Sequence, residues 1–149
     1  MAIVMNASVF AWVLTTGRVA QTLFTFMTSI TTNYIFVLIV LNILLLIAGC
    51  FMDAISAYYI FIPLFLPLCK SLGIDPVHLG IIMTSNLAIG LITPPVGVDL
   101  YTACAISGVP FKDLARQIWP FVIASVIPLI FITYIPEISL WLPRVLGMR

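Results

Sequence analysis

Asn86, Gly90, Thr93 and Gly97 follow one another at intervals of four, three and four residues, which lines small and oxygen-bearing positions along one face of a helix. That stripe runs into Thr93-Pro94-Pro95-Val96-Gly97, and a helix cannot pass two adjacent prolines intact. Neither proline brings the N–H that would bond the carbonyl four residues back, so Pro94 releases the carbonyl of Gly90 and Pro95 that of Leu91. Thr93 and Pro94, each standing before a proline, are also driven toward extended backbone. Carbonyl, hydroxyl and amide oxygens in one place suit a hard monovalent cation such as sodium, and unwound backbone between half-helices is a setting in which membrane proteins hold such ions. The freed carbonyls of Gly90 and Leu91 and the side chains of Asn86 and Thr93 are therefore candidate ligands. The half-helix that restarts near Gly97 would aim its positive N-terminal end back at the break and favour an anionic group there, a carboxylate above all.

Asp53 and Asp99 are the two acids nearest the apolar segments, and an ionisable group at membrane depth is a functional candidate by default. Asp53 reads equally well as a helix cap, and Asp99 as a polar residue in the first turn of the half-helix. His78 stands at the end of an apolar run and reads as structural. Ser56 and Ser85 offer hydroxyls, but nothing marks them as nucleophiles. Two other functions compete. An intramembrane aspartyl protease would need Asp53 and Asp99 to share a proton as paired carboxylates do, and the sequences around them do not match that family. A structural or assembly membrane protein would need no site: glycine and proline are common in membrane helices, and Asn86 would simply hydrogen-bond a neighbouring helix. Paired prolines with flanking glycines, Asn86 and Thr93 in one segment favour a site over that bland reading.

The rest of the chain must keep this break away from lipid, because non-helical backbone at membrane depth survives only inside protein or along a cavity. Of 149 residues, 63% are hydrophobic and 7% charged, against roughly 45–50% and about 25% in soluble domains. The chain is expected to be an all-α integral membrane protein. A net charge of +1 without any run of basic residues gives no support for nucleic acid or for a polybasic lipid-binding segment. Cys50, Cys69 and Cys104 all fall in apolar stretches without metal-ligand spacing, so they read as reduced structural thiols. Nothing points to an organic cofactor.

Taken in order, residues 1–14 are apolar but shorter than the ~20 residues a helix needs to cross, and read as part of a span. Residues 17–31 alternate Val19, Leu23, Phe26, Met27 and Ile30 with Gln21, Thr22, Thr25 and Ser29, an amphipathic helix lying along the membrane surface. Residues 34–70 contain an uncharged arm up to Met52, then Asp53, then a second apolar arm carrying Pro63 and Pro67. No polar turn separates the arms, so a hairpin whose tip stops inside the protein, with Asp53 capping the second arm, fits better than two complete spans. Residues 77–107 form a transmembrane helix broken at 90–97. Residues 110–136 form another, kinked at Pro120 and Pro128, with Trp119 and Tyr134 as interface anchors. Residues 137–149 form an amphipathic tail. The positive-inside rule does not orient the chain, since Lys112 and Arg116 lie on one side and Arg18, Lys70, Arg144 and Arg149 on the other.

Three stretches, Gly73-Ile74-Asp75-Pro76-Val77-His78, Asn86 through Gly97, and Leu140-Trp141-Leu142-Pro143, together with Phe51-Met52-Asp53, resemble the large membrane subunit of tripartite ATP-independent periplasmic (TRAP) transporters, within the ion transporter superfamily. The resemblance covers essentially the whole chain. It implies one half of an inverted-repeat, elevator-type transporter, with a re-entrant hairpin and a broken helix in each repeat. The implied activity is sodium-coupled import of small organic anions such as C4-dicarboxylates or sialic acid, with no enzymatic step, in the inner membrane of a bacterium or archaeon. It implies a sodium site made by the tip and the break, from Gly49, Asp53, Asn86, Gly90, Leu91, Thr93 and Gly97. One wall of the substrate site would come from Asp53, Val96, Gly97 and Asp99. Implied partners are a small membrane subunit and a soluble periplasmic substrate-binding protein. The hairpin opening and C-terminus would face the periplasm, with Lys112 and Arg116 cytoplasmic. Asp99 departs from the family, where Asn is common. The likeness covers only the last third of such a subunit, so the chain is expected to work only with the missing N-terminal part.

Overall fold

The computed structural model describes residues 34–147 continuously, preceded by Met5, Val9, Trp12, Val13, Thr16, Gly17, Thr22 and Thr25. Apart from those single positions, the partial span expected over 1–14 and the surface helix expected over 17–31 lie outside the described residues, as do the last two residues of the tail.

Regular structure in 34–147 is entirely helical: α1 (Tyr34–Phe51), α2 (Ala54–Ser71), α3 (Pro76–Leu91), α4 (Val98–Ser107), α5 (Phe111–Gln117), α6 (Trp119–Tyr134) and α7 (Pro136–Val145). α1 and α2 are each 18 residues long and apolar enough to cross a membrane, and α5 with α6 makes a third candidate bent by 43°. That bend sits at Ile118–Pro120, where Pro120 brings no N–H for the Arg116 carbonyl and both Phe121 and Val122 donate instead to Ile118. The helix expected over 110–136 is thus two helices, and the second runs on through Pro128. α2 likewise continues through Pro63 and Pro67.

The bundle is organised around α3. Its buried residues include His78, Leu79, Ile82, Met83, Asn86, Leu87 and Gly90, a stripe at helical spacing. Along α1 the matching stripe is Val37, Leu38, Leu41, Leu45 and Gly49. Asn42 meets Asn86 and Gly49 meets Gly90, so the two helices run side by side in one direction. α2 returns antiparallel: Tyr58 donates to Thr84 at 2.6 Å, and Phe65, Leu68 and Cys69 join the cluster that holds Val37, Leu38, Leu79 and Ile82. α6 also runs against α3, with Val122 packed near Ile89 and Thr133 beside His78. One end of the bundle therefore gathers the start of α1, the end of α2, the start of α3 and α7. The other end gathers the α1–α2 turn and the segment between α3 and α4.

Where Gly49 meets Gly90 the helices touch backbone on backbone. A Cβ added at Gly90 would lie 2.6 Å from both Cα and the carbonyl carbon of Gly49, and one added at Gly49 would lie 3.0 Å from Gly90 Cα. In lipid, apolar burial adds little to helix association, and contact between small residues is a main source of it. Gly90→Ala is therefore expected to destabilise the protein carrying this chain by about 1–3 kcal/mol through overpacking. Gly80→Ala, where an added Cβ meets nothing within 4 Å, is expected to be neutral or to stabilise by roughly 0.5–1 kcal/mol. Thermal unfolding in detergent reads both, and equal midpoints for the two variants would contradict the Gly49–Gly90 contact.

Candidate functional site

Between α3 and α4 the chain is non-helical from Ile92 to Gly97, with a cis bond between Pro94 and Pro95. The unwound segment is thus two residues shorter at its start than the 90–97 read from the sequence, and helix resumes at Val98. The difference has a simple origin: the last turn of α3 tightens instead of opening. Thr93 N–H donates to the Gly90 carbonyl at 2.9 Å and Ile92 N–H to the Ile89 carbonyl at 3.3 Å. The Gly90 carbonyl is therefore not freed, as the proline argument expected, because Thr93 takes the place Pro94 cannot fill. It retains its second lone pair. Pro95 brings no N–H to the Leu91 carbonyl, as the sequence dictates.

The α1–α2 turn meets this segment directly. α1 ends at Phe51, Met52 N–H closes on the Ala48 carbonyl at 3.0 Å, and Asp53 stands in extended backbone as the N-cap of α2. Its Oδ2 accepts from Ser56 N–H at 2.9 Å, so the carboxylate satisfies an orphan donor and complements the positive end of α2. The turn is joined to the break by Gly97 N–H, which donates to the Cys50 carbonyl at 3.1 Å. Gly97 sits at φ 54°, a left-handed conformation in which a side chain would be strained. An added Cβ there would also lie 2.9 Å from Leu100 Cδ1 and 3.1 Å from the Thr93 carbonyl oxygen. Its own carbonyl accepts from Leu100 N–H at 2.8 Å and opens α4.

The expected site residues divide on inspection. Gly49, Gly90 and Gly97 are brought together at the tip–break contact, with Asp53 three residues beyond the Cys50 that bonds Gly97. Thr93 turns its hydroxyl onto the Ile89 carbonyl at 2.6 Å, leaving its oxygen lone pairs as acceptors. Leu91, Thr93 and Val96 are half-buried, while Asp53 and Asp99 are exposed. No hydrogen bond joins the two carboxylates, so the proton-sharing pair a protease would need is not formed between these described residues. Asp99 lies in the first turn of α4, where a negative charge suits the helix end.

Asn86 is built into a different arrangement. Its Nδ2 donates to Asn42 Oδ1 at 2.6 Å and to the Ile82 carbonyl at 2.8 Å, while its Oδ1 is buried without a protein partner. Asn42 in turn donates to the Leu38 carbonyl at 2.8 Å and accepts from Thr133 Oγ1 at 3.3 Å. One ring nitrogen of His78, Nε2, faces the Thr133 carbonyl at 3.3 Å. A polar ladder thus crosses α1, α3 and α6 below the break. Sequence reasoning missed Asn42 and Thr133. The available signal was a lone amide in an otherwise apolar span, which in lipid finds a partner on a neighbouring helix.

Chemically, the tip and break supply oxygen donors without a transition-metal set: among the described residues no three of His, Cys, Asp and Glu gather to hold a metal ion. The Thr93 hydroxyl, the backbone carbonyls of an unwound segment and the unpartnered Asn86 Oδ1 are the donor types a hard cation takes.

Comparison with known proteins places this geometry in context. The family model described as "Tripartite ATP-independent periplasmic transporter, DctM component" matches residues 1–138. The C4-dicarboxylate TRAP transporter large permease protein DctM of Pseudomonas aeruginosa is 45% identical over 99% of this chain and 35% of its own length. The isethionate TRAP transporter permease protein DctMQ of Oleidesulfovibrio alaskensis is 39% identical over 91% of this chain and 21% of its own. The sialic acid TRAP transporter large permease protein SiaM of Vibrio cholerae is 33% identical over 95% of this chain and 33% of its own. The chain spans about a third of the large permeases it matches.

The ladder makes a quantitative prediction. In a double-mutant cycle of Asn42→Ala and Asn86→Ala, read by unfolding in detergent, the coupling is expected at about 0.6–1.7 kcal/mol, the range for hydrogen bonds between membrane helices. Additive losses would mean the two amides do not act together.

Proposed function

The chain belongs to the DctM component family of tripartite ATP-independent periplasmic transporters, and from that premise we propose that it forms the sodium- and substrate-binding part of a permease importing small organic anions. The observation that carries the proposal is the stitched contact between the α1–α2 turn and the unwound segment, Cys50 carbonyl to Gly97 N–H with Gly49 against Gly90. It gathers oxygen donors where α1 and α3 end and α2 and α4 begin.

In this reading α1 and α2 are the arms of a re-entrant hairpin. The hairpin stops at the level of the break, because Cys50 bonds Gly97, whereas the chain goes on into α4 and α5 before it returns through Ile118. The sodium ion takes the Thr93 hydroxyl, backbone oxygens of Gly49, Gly90, Leu91 and Gly97, and a supporting contribution from Asn86 and Asp53. When bound, it supplies the positive charge that couples import to the sodium gradient. Substrate carboxylates lie against Val96 and Gly97 at the positive end of α4, with Asp53 and Asp99 lining the same wall. The organic anion remains a class here: relatives named for C4-dicarboxylates, isethionate and sialic acid all match.

The full machine in this proposal contains the remaining part of the large subunit, with an inverted copy of the hairpin and broken helix and an elevator movement. It also contains a small membrane subunit and a soluble substrate-binding protein, and it works in a bacterial inner membrane.

Uptake by the reconstituted complete transporter tests the reading. Sodium should stimulate uptake, and Thr93→Val should raise the half-saturating sodium concentration about tenfold, equivalent to ~1.4 kcal/mol for one lost ligand, while Thr93→Ser retains near-native behaviour. Uptake indifferent to sodium, or a Thr93→Val variant with unchanged sodium dependence, would remove the ion site from the account and favour a purely structural role.

A further inference from the structure

At the end of the bundle opposite the break, a cavity of about 460 Å³ opens between the start of α1, the α2–α3 turn and α7. Its wall includes Tyr34, Lys70, Asp75, His78 and Arg144. The sequence has no basic run, yet the fold brings Lys70, from the last turn of α2, and Arg144, from the last turn of α7, to one opening. Both cations are exposed, and no described carboxylate forms an ion pair with either. The facing acid, Asp75, uses Oδ1 to cap α3 at Val77 N–H, 2.8 Å away. One positive charge is left in excess.

His78 supplies the second, independent observation. His78 is 1% exposed, and donation from Nε2 to the Thr133 carbonyl leaves Nδ1 as a buried acceptor without a protein partner. Buried polar atoms are ordinarily satisfied, so such an atom on a residue that lines the cavity calls for a partner.

We propose that this cavity binds the headgroup of an anionic phospholipid, a phosphodiester carrying free hydroxyls as in phosphatidylglycerol. The single phosphodiester charge neutralises the excess between Lys70 and Arg144. The hydroxyls donate to the Asp75 carboxylate and to His78 Nδ1, two acceptors that an inorganic anion would leave unmatched or repelled. The depth is that of a headgroup: α1, an uncharged apolar helix, starts at Tyr34 beside the cavity. On α7, Trp141 is 65% and Leu142 55% exposed, an amphipathic helix end with an aromatic at the interface. The site is distinct from the proposed ion site and does not rest on it, only on the chain's place in a membrane.

Native mass spectrometry of the complete permease complex, released from nanodiscs of phosphatidylcholine doped with phosphatidylglycerol, reads the site. Wild type should retain phosphatidylglycerol selectively. Lys70→Gln with Arg144→Gln should weaken retention about thirtyfold, from roughly 1 kcal/mol per basic residue, and Lys70→Arg with Arg144 unchanged should retain phosphatidylglycerol as wild type does. Because both residues are exposed, the paired variant should unfold at the wild-type temperature. Retention unchanged in the paired variant, or no retained phosphatidylglycerol in wild type because another part of the permease covers the cavity, overturns the proposal. Competition by the soluble headgroup glycerophosphoglycerol at the lipid's own affinity overturns the assignment to a lipid and makes the cavity a site for a soluble phosphodiester.

Discussion

The arrangement depends on two glycines that let backbones touch. Gly49 near the end of α1 and Gly90 near the end of α3 meet so closely that neither tolerates a side chain without a shift. That approach delivers the Cys50 carbonyl to Gly97 N–H and so attaches the turn between α1 and α2 to the segment between α3 and α4. In water such a contact would be a minor term beside burial. Among lipid tails, which are as apolar as leucine, close packing and interhelical hydrogen bonds carry helix association, and a small-residue contact can decide where a helix pair stops.

The second constraint is polar. Asn42, Asn86, Thr133 and His78 form a ladder across α1, α3 and α6 in the interior of the bundle. Once desolvated, each group is costly to leave unpaired, so the ladder permits few relative positions of the three helices. Together with the glycine contact one helical turn away, it fixes the register in which the tip meets the break. Asn86 belongs to both levels, with its amide nitrogen committed to the ladder and its oxygen left over.

Much of this was legible from the sequence because proline and glycine act locally. Pro94 and Pro95 cannot carry helix, so a break near Thr93 follows from covalent structure alone, and Asp53 and Asp75 precede their helices as caps should. What the sequence hid was tertiary. Pro63, Pro67 and Pro128 look like the same punctuation, yet their helices continue, since neighbouring turns and helices can absorb a missing donor. The fate of the Gly90 carbonyl depended on a tight turn by Thr93 that no pattern announces. The partner of Asn86 lies 44 positions away, and the opening between Lys70 and Arg144 joins residues 74 positions apart. The family resemblance names residues around the tip and the break, but not which of their oxygens remain free.

Amide hydrogen exchange by mass spectrometry on the intact permease addresses the joining of tip and break most directly. If Gly97 N–H is held by the Cys50 carbonyl and sodium binds across the junction, peptides covering 49–57 and 92–98 should both be slow to exchange and should gain protection together when sodium replaces a non-binding cation. Fast exchange at 92–98 irrespective of sodium, or protection of one segment without the other, would contradict the account.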